Sequence, residues 1–349
     1  MPLIDLTRQS RRAATRAATP AAPAVGDAAA TPHTSAFDDV PRRVTLTIAE
    51  LRHAAALAGD APLPFDVVEP EAAGQHALER RLGNTDATSS AQTYLDVARA
   101  LPDPERSLTG RGLVTDAGLD LGLAGALGLL ATPHLAADLD VVVDDVRFRA
   151  WHRQAGEAVA ALATTDGIVF ELAWFGVGSW GAEIARVAAL PAEFDLETSS
   201  VPRGLDLPYE LADAVVEAGD RHRADLVRLL AARYDGAVRD DQGAALDSAR
   251  TIEALDGLMG ETRGRLRALV ARIDAPPADT VHATDGVGDE APPIGVRSWT
   301  LVRDGWRSLR PHHDGDTLRI RADAVSPDQL AGDLALVLAE LAVTSGGTR

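Results

Sequence analysis

Histidines, carboxylates and glycines are the residues of this 349-residue chain that could do chemistry, because it contains no cysteine and all its basic residues are arginine. The lack of cysteine excludes disulfides, thiolate metal sites and cysteine nucleophiles. The lack of lysine excludes Schiff-base and P-loop lysines. The nine histidines show no metal-binding spacing, and the cluster at residues 312–316 is typical of a polar hairpin turn. We therefore expect no catalytic residue, no metal and no cofactor.

One glycine pattern has the G-x-G-x-x-G form of a dinucleotide-binding loop, with Gly176, Gly178 and Gly181 between a predicted strand and a predicted helix. Such glycines let a pyrophosphate approach the backbone at a helix start. Trp180 crowds the position where the third glycine should allow close packing, and Glu171 is out of place in a buried parallel strand. Because of these two departures, a nucleotide-binding enzyme that uses this loop is kept only as the alternative hypothesis.

Aromatic residues are few, yet Trp151, Trp174 and Trp180 lie within 30 positions of one another, beside Phe170 and Phe175. Core packing is the default expectation for such side chains. Large apolar groups alternate onto both faces of the strand at 168–175, so one face would become an apolar docking surface if helices covered only the other.

Composition favours a folded protein that binds neither nucleic acid nor membrane. The chain has 46% hydrophobic and 25% charged residues and a net charge of −18, a field that repels phosphate backbones and anionic lipid. The most apolar window, residues 119–137, is interrupted by Asp120 and Pro133 and indicates a buried helix or helix pair. A cytoplasmic location follows as an expectation.

Several segments have recognisable local patterns. Residues 43–48 alternate like a strand, and Thr47 with Glu50 forms a capping-box pattern for the next helix. Apolar spacing over residues 244–273 predicts one long amphipathic helix, with a break at Gly260 as the alternative. Residues 1–42, basic and then rich in Ala and Pro, are typical of a disordered tail. The alternative for this tail is a contact arm that docks onto an acidic partner and makes the protein a structural regulator.

Two stretches repeat one plan. Residues 149–151 (Arg-Ala-Trp) precede Asp-Gly at 166–167, and residues 297–299 (Arg-Ser-Trp) precede Asp-Gly at 314–315 with the same spacing. Asp-Gly between alternating runs indicates a β-hairpin, so the strands should pair antiparallel. We predict an α+β fold whose central antiparallel sheet is built from quasi-two-fold related halves, flanked by helical bundles. One domain over residues 43–349 would contain the halves, at about 43–200 and 205–345.

The order of these elements resembles that of the EspG family, the chaperones of type VII (ESX) secretion. The resemblance runs from about residue 44 to 341, and the segments that carry it are VTLTIAELRHAAALAGDAPLPFDVV, SLTGRGLVTDAGLDLGLAGALGLLATPHLAADLDVVVDD, AVAALATTDGIVFELAW and GDTLRIRADAVSPDQLAGDLALVLAEL. It implies a non-enzymatic cytosolic chaperone that binds the apolar tip of a helical secretion substrate, a PPE-like or WXG-like protein, and keeps it soluble for export. Contact with the secretion machinery is implied as well.

In the family, a strand loop beside the sheet helps to grip the partner. The resemblance places the corresponding loop at residues 152–157. The partner-binding residues that it implies are Trp151, His152, Arg153, Gln154 and Trp174.

Overall fold

The computed structural model describes residues 40–65, 94, 96–97, 99–144, 146–192, 194–220, 224–273 and 294–343. Those residues form eight α-helices and thirteen β-strands. The helices are α1 (Ile48–Leu57), α2 (Pro104–Gly110), α3 (Leu121–Ala131), α4 (Trp180–Ala188), α5 (Tyr209–Asp220), α6 (Ala224–Arg233), α7 (Ser248–Gly260) and α8 (Pro327–Val343). The strands are β1 (Arg42–Thr47), β2 (Val114–Thr115), β3 (Gly118–Leu119), β4 (Leu135–Val143), β5 (Val146–Ala155), β6 (Ala158–Thr164), β7 (Val169–Gly176), β8 (Gly204–Pro208), β9 (Arg239–Asp240), β10 (Gly264–Arg272), β11 (Ile294–Val302), β12 (Gly305–Asp314) and β13 (Thr317–Val325).

Eleven of these strands form one sheet in the order β1-β7-β6-β5-β4-β10-β11-β12-β13-β8-β9, and every pairing is antiparallel. Counted outward from the β4–β10 pair, each half contributes four consecutive strands and then its own first strand, β1 or β8. A helix follows the fourth strand in each half, α4 after β7 and α8 after β13. The predicted α+β class, with an antiparallel sheet of two related halves flanked by helices, is confirmed.

One face of the sheet, here called the helix-pair face, is covered by α4 and α8. Both helices share a core with the central strands, so this core crosses the β4–β10 pair. The core positions of the central strands include three alanines, Ala137, Ala150 and Ala268, and small side chains let the helices lie close to the sheet.

The opposite face, here called the bundle face, carries two separate helical groups. Helices α1, α2 and α3 pack on the first half around Leu46, Leu162 and Phe170. Helices α5, α6 and α7 pack on the second half around Leu205 and Ala322. Both faces of β7 are therefore buried, and the expected apolar docking surface on that strand is not found.

Local signals account for the element boundaries. Thr47 and Glu50 form the predicted capping box, because the Thr47 hydroxyl accepts from the Glu50 amide and the Glu50 carboxylate accepts from the Thr47 amide. The two Asp-Gly dipeptides lie in the β6–β7 and β12–β13 turns as predicted. Gly167 and Gly315 have φ of +71° and +61° there, which suits glycine.

The long helix predicted over residues 244–273 is wrong beyond Gly260. Helix α7 ends at that residue and β10 begins at Gly264. In β10, exposed and buried positions alternate, with Arg265 and Arg267 exposed and Leu266 buried. That is the two-residue period of a strand.

The Arg-x-Trp part of the sequence repeat does not match in space. Trp151 packs in the core of the bundle face, whereas Trp299 packs in the core of the helix-pair face. Because successive strand residues alternate between faces, Trp151 and Trp299 cannot be equivalent positions of the two halves. The domain boundaries drawn from the repeat stay a proposal, and residues 1–39 of the predicted tail lie outside the described residues.

Candidate partner-binding site

Four of the five residues implied as partner-binding lie on β5, and Trp174 lies on β7. A loop was expected over residues 152–157. Instead, β5 continues to Ala155, and only Gly156 and Glu157 lie between it and β6. The loop assignment is wrong because residues 149–155 pair continuously with β6.

These five residues do not form one surface. Trp151, Arg153 and Trp174 point to the bundle face, while His152 and Gln154 point to the helix-pair face, as their register partners show. Four of the five are buried, each at most 8% exposed: Trp151, His152, Arg153 and Trp174. A partner could therefore reach Gln154 alone among them without a rearrangement.

The two tryptophans of the bundle face are core residues. Phe65 lies against Trp151 with ring centroids 5.1 Å apart, and it stacks on Phe170 at 5.0 Å. Trp174 packs over Gly122 of α3, where an added Cβ would lie only 3.0 Å from the indole ring. Tight packing thus fixes both side chains.

His152 is a buried neutral side chain. The indole nitrogen of Trp180 donates to its Nδ1 at 3.0 Å. Burial lowers the pKa of His152 to about 3, with smaller contributions from the positive charges of Arg186 and Arg153. Its Nε2 has no hydrogen-bond partner among the described residues. An imidazole held in this way packs the core and does not present a proton to a substrate.

The glycine pattern lies in a setting unlike a dinucleotide loop. Gly176 ends β7 with φ of −70°, and Gly181 lies inside α4. Strand β7 pairs antiparallel with both β1 and β6, whereas the dinucleotide loop follows a strand of a parallel sheet. Trp180 fills the space beside the helix start and is buried. The arrangement gives the nucleotide-binding alternative no support.

Between the two helical groups, no helix of the described residues covers the bundle face, and we call this uncovered part the exposed strip. It consists of outward-pointing residues of β5, β4, β10 and β11, placed on one face by their register. Its members are Asp138, Asp140, Arg147, Arg149, Arg265, Arg267, Leu269 and Val296.

Charge in the strip is concentrated around one carboxylate. Arg147 donates two hydrogen bonds to Asp140, from Nε at 2.8 Å and from Nη2 at 2.6 Å. These bonds hold the pKa of Asp140 below its usual value, and the charges of Arg147, Arg149 and Arg265 add to the effect. Arg267 lies opposite Asp140 in the β4–β10 register. Four arginines thus surround a single aspartate.

The other end of the strip is apolar. Leu269 and Val296 are register partners and are 40% and 42% exposed. Ile294 and Ile273 continue the patch toward the ends of β11 and β10. Exposed aliphatic side chains on a sheet face, beside charged ones, are typical of a protein-binding surface.

A cavity of about 490 Å³ adjoins the strip on the first-half side. It shares Arg147 and Arg149 with the strip, and its apolar lining includes Phe65, Trp151 and Phe170. The strip therefore continues into a concave region with an aromatic lining.

A second, smaller cavity of about 210 Å³ lies on the helix-pair face. Its lining is mainly aliphatic and aromatic, from the ends of β4 and β5 and the segment after α4. Those lining residues include Val141, Val146, Phe148, Val187, Leu190 and Phe194. It has little polar chemistry to orient a ligand.

Sequence reasoning missed the exposed strip. A signal was present, because arginines alternate with apolar residues at 147–149 (Arg-Phe-Arg) and at 265–267 (Arg-Leu-Arg). Such alternation predicts strands with one charged face. Within the described ranges, no group of three His, Asp or Glu could hold a metal ion. No helix of the described part is long and apolar enough to cross a membrane.

Comparisons with known proteins show the fold. No protein-family model matches the sequence, and no curated protein matches it. Among solved structures, the chain is similar to the Mycobacterium tuberculosis type VII secretion system chaperone EspG5, solved in complex with the PE25–PPE41 dimer. The TM-score is 0.53 with 13% sequence identity, over 85% of this chain and 96% of that one. The chain therefore has a fold similar to that of the chaperone EspG5.

Proposed function

We propose that this protein is a cytoplasmic chaperone or adaptor that binds the apolar end of a helical type VII secretion substrate, of the PPE or WXG kind. The observation that carries the proposal is the exposed strip, an open sheet surface between two helical groups. Its exposed Leu269 and Val296 give apolar contact area, and the helices on either side form the walls of a groove. A helix end laid in such a groove would bury its apolar side chains.

The likeness to EspG5 supports the same function, because that chaperone was solved with a PE–PPE dimer. In this proposal the partner is kept soluble by covering its apolar end, and delivery to the secretion machinery follows. The partner-binding role of Trp151, His152, Arg153, Gln154 and Trp174 stays a prediction. Trp151 and Arg153 border the strip, and Arg153 is held there by Asp138 at 2.6 Å.

Co-expression tests this function. The full chain is produced with helical secretion substrates from its own gene neighbourhood, and complexes are isolated by size-exclusion chromatography. We expect a soluble stoichiometric complex with one of them. Leu269→Glu places a charge in the apolar part of the strip and should abolish the complex.

Leu336→Glu is the matched control, because Leu336 is a 65% exposed leucine on α8, which packs on the helix-pair face. This variant should bind as the unmodified chain does. Equal binding by the Leu269→Glu chain would remove the strip as the binding surface. If none of the helical substrates associates with the unmodified chain, the chaperone function itself is lost.

A further inference from the structure

Three arginines of the exposed strip make no ion pair with any described residue. Asp140 is bound by Arg147, while Arg149, Arg265 and Arg267 are exposed and have no carboxylate within hydrogen-bond distance in the described part of the chain. The strip has four arginines, Arg147, Arg149, Arg265 and Arg267, and two aspartates, Asp138 and Asp140, so its local charge is 4 − 2 = +2. The whole chain has a net charge of −18.

This local positive charge is opposite in sign to the net charge of the whole protein. Arginine presents a planar fork of donors that matches a carboxylate, and an unpaired row of them on a rigid sheet is arranged before any partner arrives. Elsewhere an acidic partner would be repelled by the acidic surface, so the strip is the place where its approach is favoured. The net negative charge disfavours nucleic acid as the occupant.

Register fixes the spacing of the row. Arg149 and Arg267 lie on either side of Asp140, on strands two spacings apart, which corresponds to about 10 Å. Arg265 and Arg267 are two residues apart on one strand, about 7 Å. Carboxylates on successive turns of a helix are about 5.4 Å apart along its axis, so long flexible side chains can bridge to these guanidinium groups.

The apolar residues of the strip lie directly beside its arginines. Leu269 follows Arg267 on the same face of β10, and Val296 lies opposite Leu269 on β11. A ligand of the strip must therefore carry an apolar end and acidic side chains just behind it.

We infer that Arg149, Arg265 and Arg267 recognise carboxylates on the partner, so that the strip selects a helical protein end that is apolar at its tip and acidic beside it. This inference rests on the proposed function and specifies its partner. The aliphatic patch binds the tip, and the arginines set the orientation and the rate of association.

Two synthetic helical peptides serve as probes. Both carry the same leucine face; one has a row of glutamates beside it, and the other has glutamines at those positions. Binding to the full chain is measured by isothermal titration calorimetry at low and at high salt. We expect the glutamate peptide to bind about tenfold more tightly at low salt, with the advantage decreasing at high salt.

The double variant Arg265→Gln/Arg267→Gln should lose this advantage and bind both peptides equally. Arg106→Gln/Arg228→Gln is the control, because it removes the same charge from two exposed helix arginines outside the strip. It should keep the advantage. Thermal denaturation of each variant checks that the fold is retained.

If the unmodified chain binds both peptides equally, carboxylate recognition is wrong while apolar binding by the proposed chaperone stands. Loss of the advantage in the control variant to the same degree would reduce the effect to overall charge and overturn the inference. Binding of neither peptide also overturns it, and the co-expression experiment then judges the proposed function independently. Competition by a single-stranded DNA oligonucleotide at physiological salt would make the strip a nucleic-acid surface instead.

Discussion

The two faces of the same central strands differ as much as any two regions of the molecule. On the helix-pair face, Leu139, Ala150 and Ala268 are at most 2% exposed. The adjacent residue of each strand, Asp140, Arg149 or Arg267, points into the exposed strip. Backbone pairing is the same for both sets, so the helices that cover one face make the difference. The covered face should carry stability and the open one binding.

Trp299→Ala should give the largest effect. Trp299 is 2% exposed in the core of the helix-pair face, and truncating a buried tryptophan costs about 3–5 kcal/mol. Urea denaturation would show this loss in the free energy of unfolding. Val296→Ala, on the same strand but facing the open side, should change it by less than about 1 kcal/mol. Similar losses for the two variants would mean that the faces do not differ in the way described.

Ala268→Leu should have the next largest effect on the free energy of unfolding. Ala268 is fully buried beneath the helix pair, and adding bulk to a packed core costs roughly 1–3 kcal/mol. Its neighbour Arg267 is exposed, so Arg267→Leu leaves the packing of the core unchanged. Unfolding free energies of the two variants make a direct test, and a costlier Arg267→Leu would contradict the assignment of faces.

His152 should make the covered face sensitive to acid. Its pKa is lowered to about 3 in the folded protein, against an ordinary value near 6.5. The unfolded chain therefore binds a proton at higher pH than the folded one, and stability is lost as pH falls from about 6.5 toward 3. From pH 6 to pH 5 this amounts to roughly 1 kcal/mol.

A His152→Gln variant separates this contribution from that of the carboxylates. Its free energy of unfolding should decline less over the same pH interval, by the amount assigned to His152. Unfolding curves at the two pH values supply the comparison. Parallel pH dependences of the two proteins would show that the histidine is not buried in its neutral form.

The smallest effect on stability is expected in the strip. Arg265→Gln and Arg267→Gln remove exposed charges that pair with no described carboxylate, so the free energy of unfolding should change by no more than about 0.5 kcal/mol. Thermal denaturation measures this. A large loss would assign these arginines to the fold rather than to a partner.

Much of the fold follows from local sequence. The Asp-Gly turns and the capping box at Thr47 both depend on residues a few positions apart. The secondary structure of residues 244–273 was harder to predict, because the apolar side chains at 266, 269, 270 and 273 fit the period of a helix as well as that of a strand. The alternating Arg265 and Arg267 decide for the strand, and β10 gains its stability from pairing with β4 and β11, which the local pattern does not contain.

The candidate site could not be predicted in the same way. The exposed strip brings Asp140 next to Arg267, and this neighbour relation depends on the register between β4 and β10. The repeat suggested that the two Arg-x-Trp motifs are equivalent, yet Trp151 and Trp299 lie on opposite faces. Register errors of one residue are small in sequence and reverse every side chain of a strand.

The pairing of β4 with β10 also has a consequence for synthesis. During translation, β4 is complete at Val143, while its partner is complete only at Arg272, 129 residues later. At about 5–20 residues per second, the ribosome needs roughly 6–26 s to reach that point. For that time the nine residues of β4 have an unpaired hydrogen-bonding edge, which can join the strand of another nascent chain. The interval between the two strands is therefore a period in which this protein itself is exposed to aggregation.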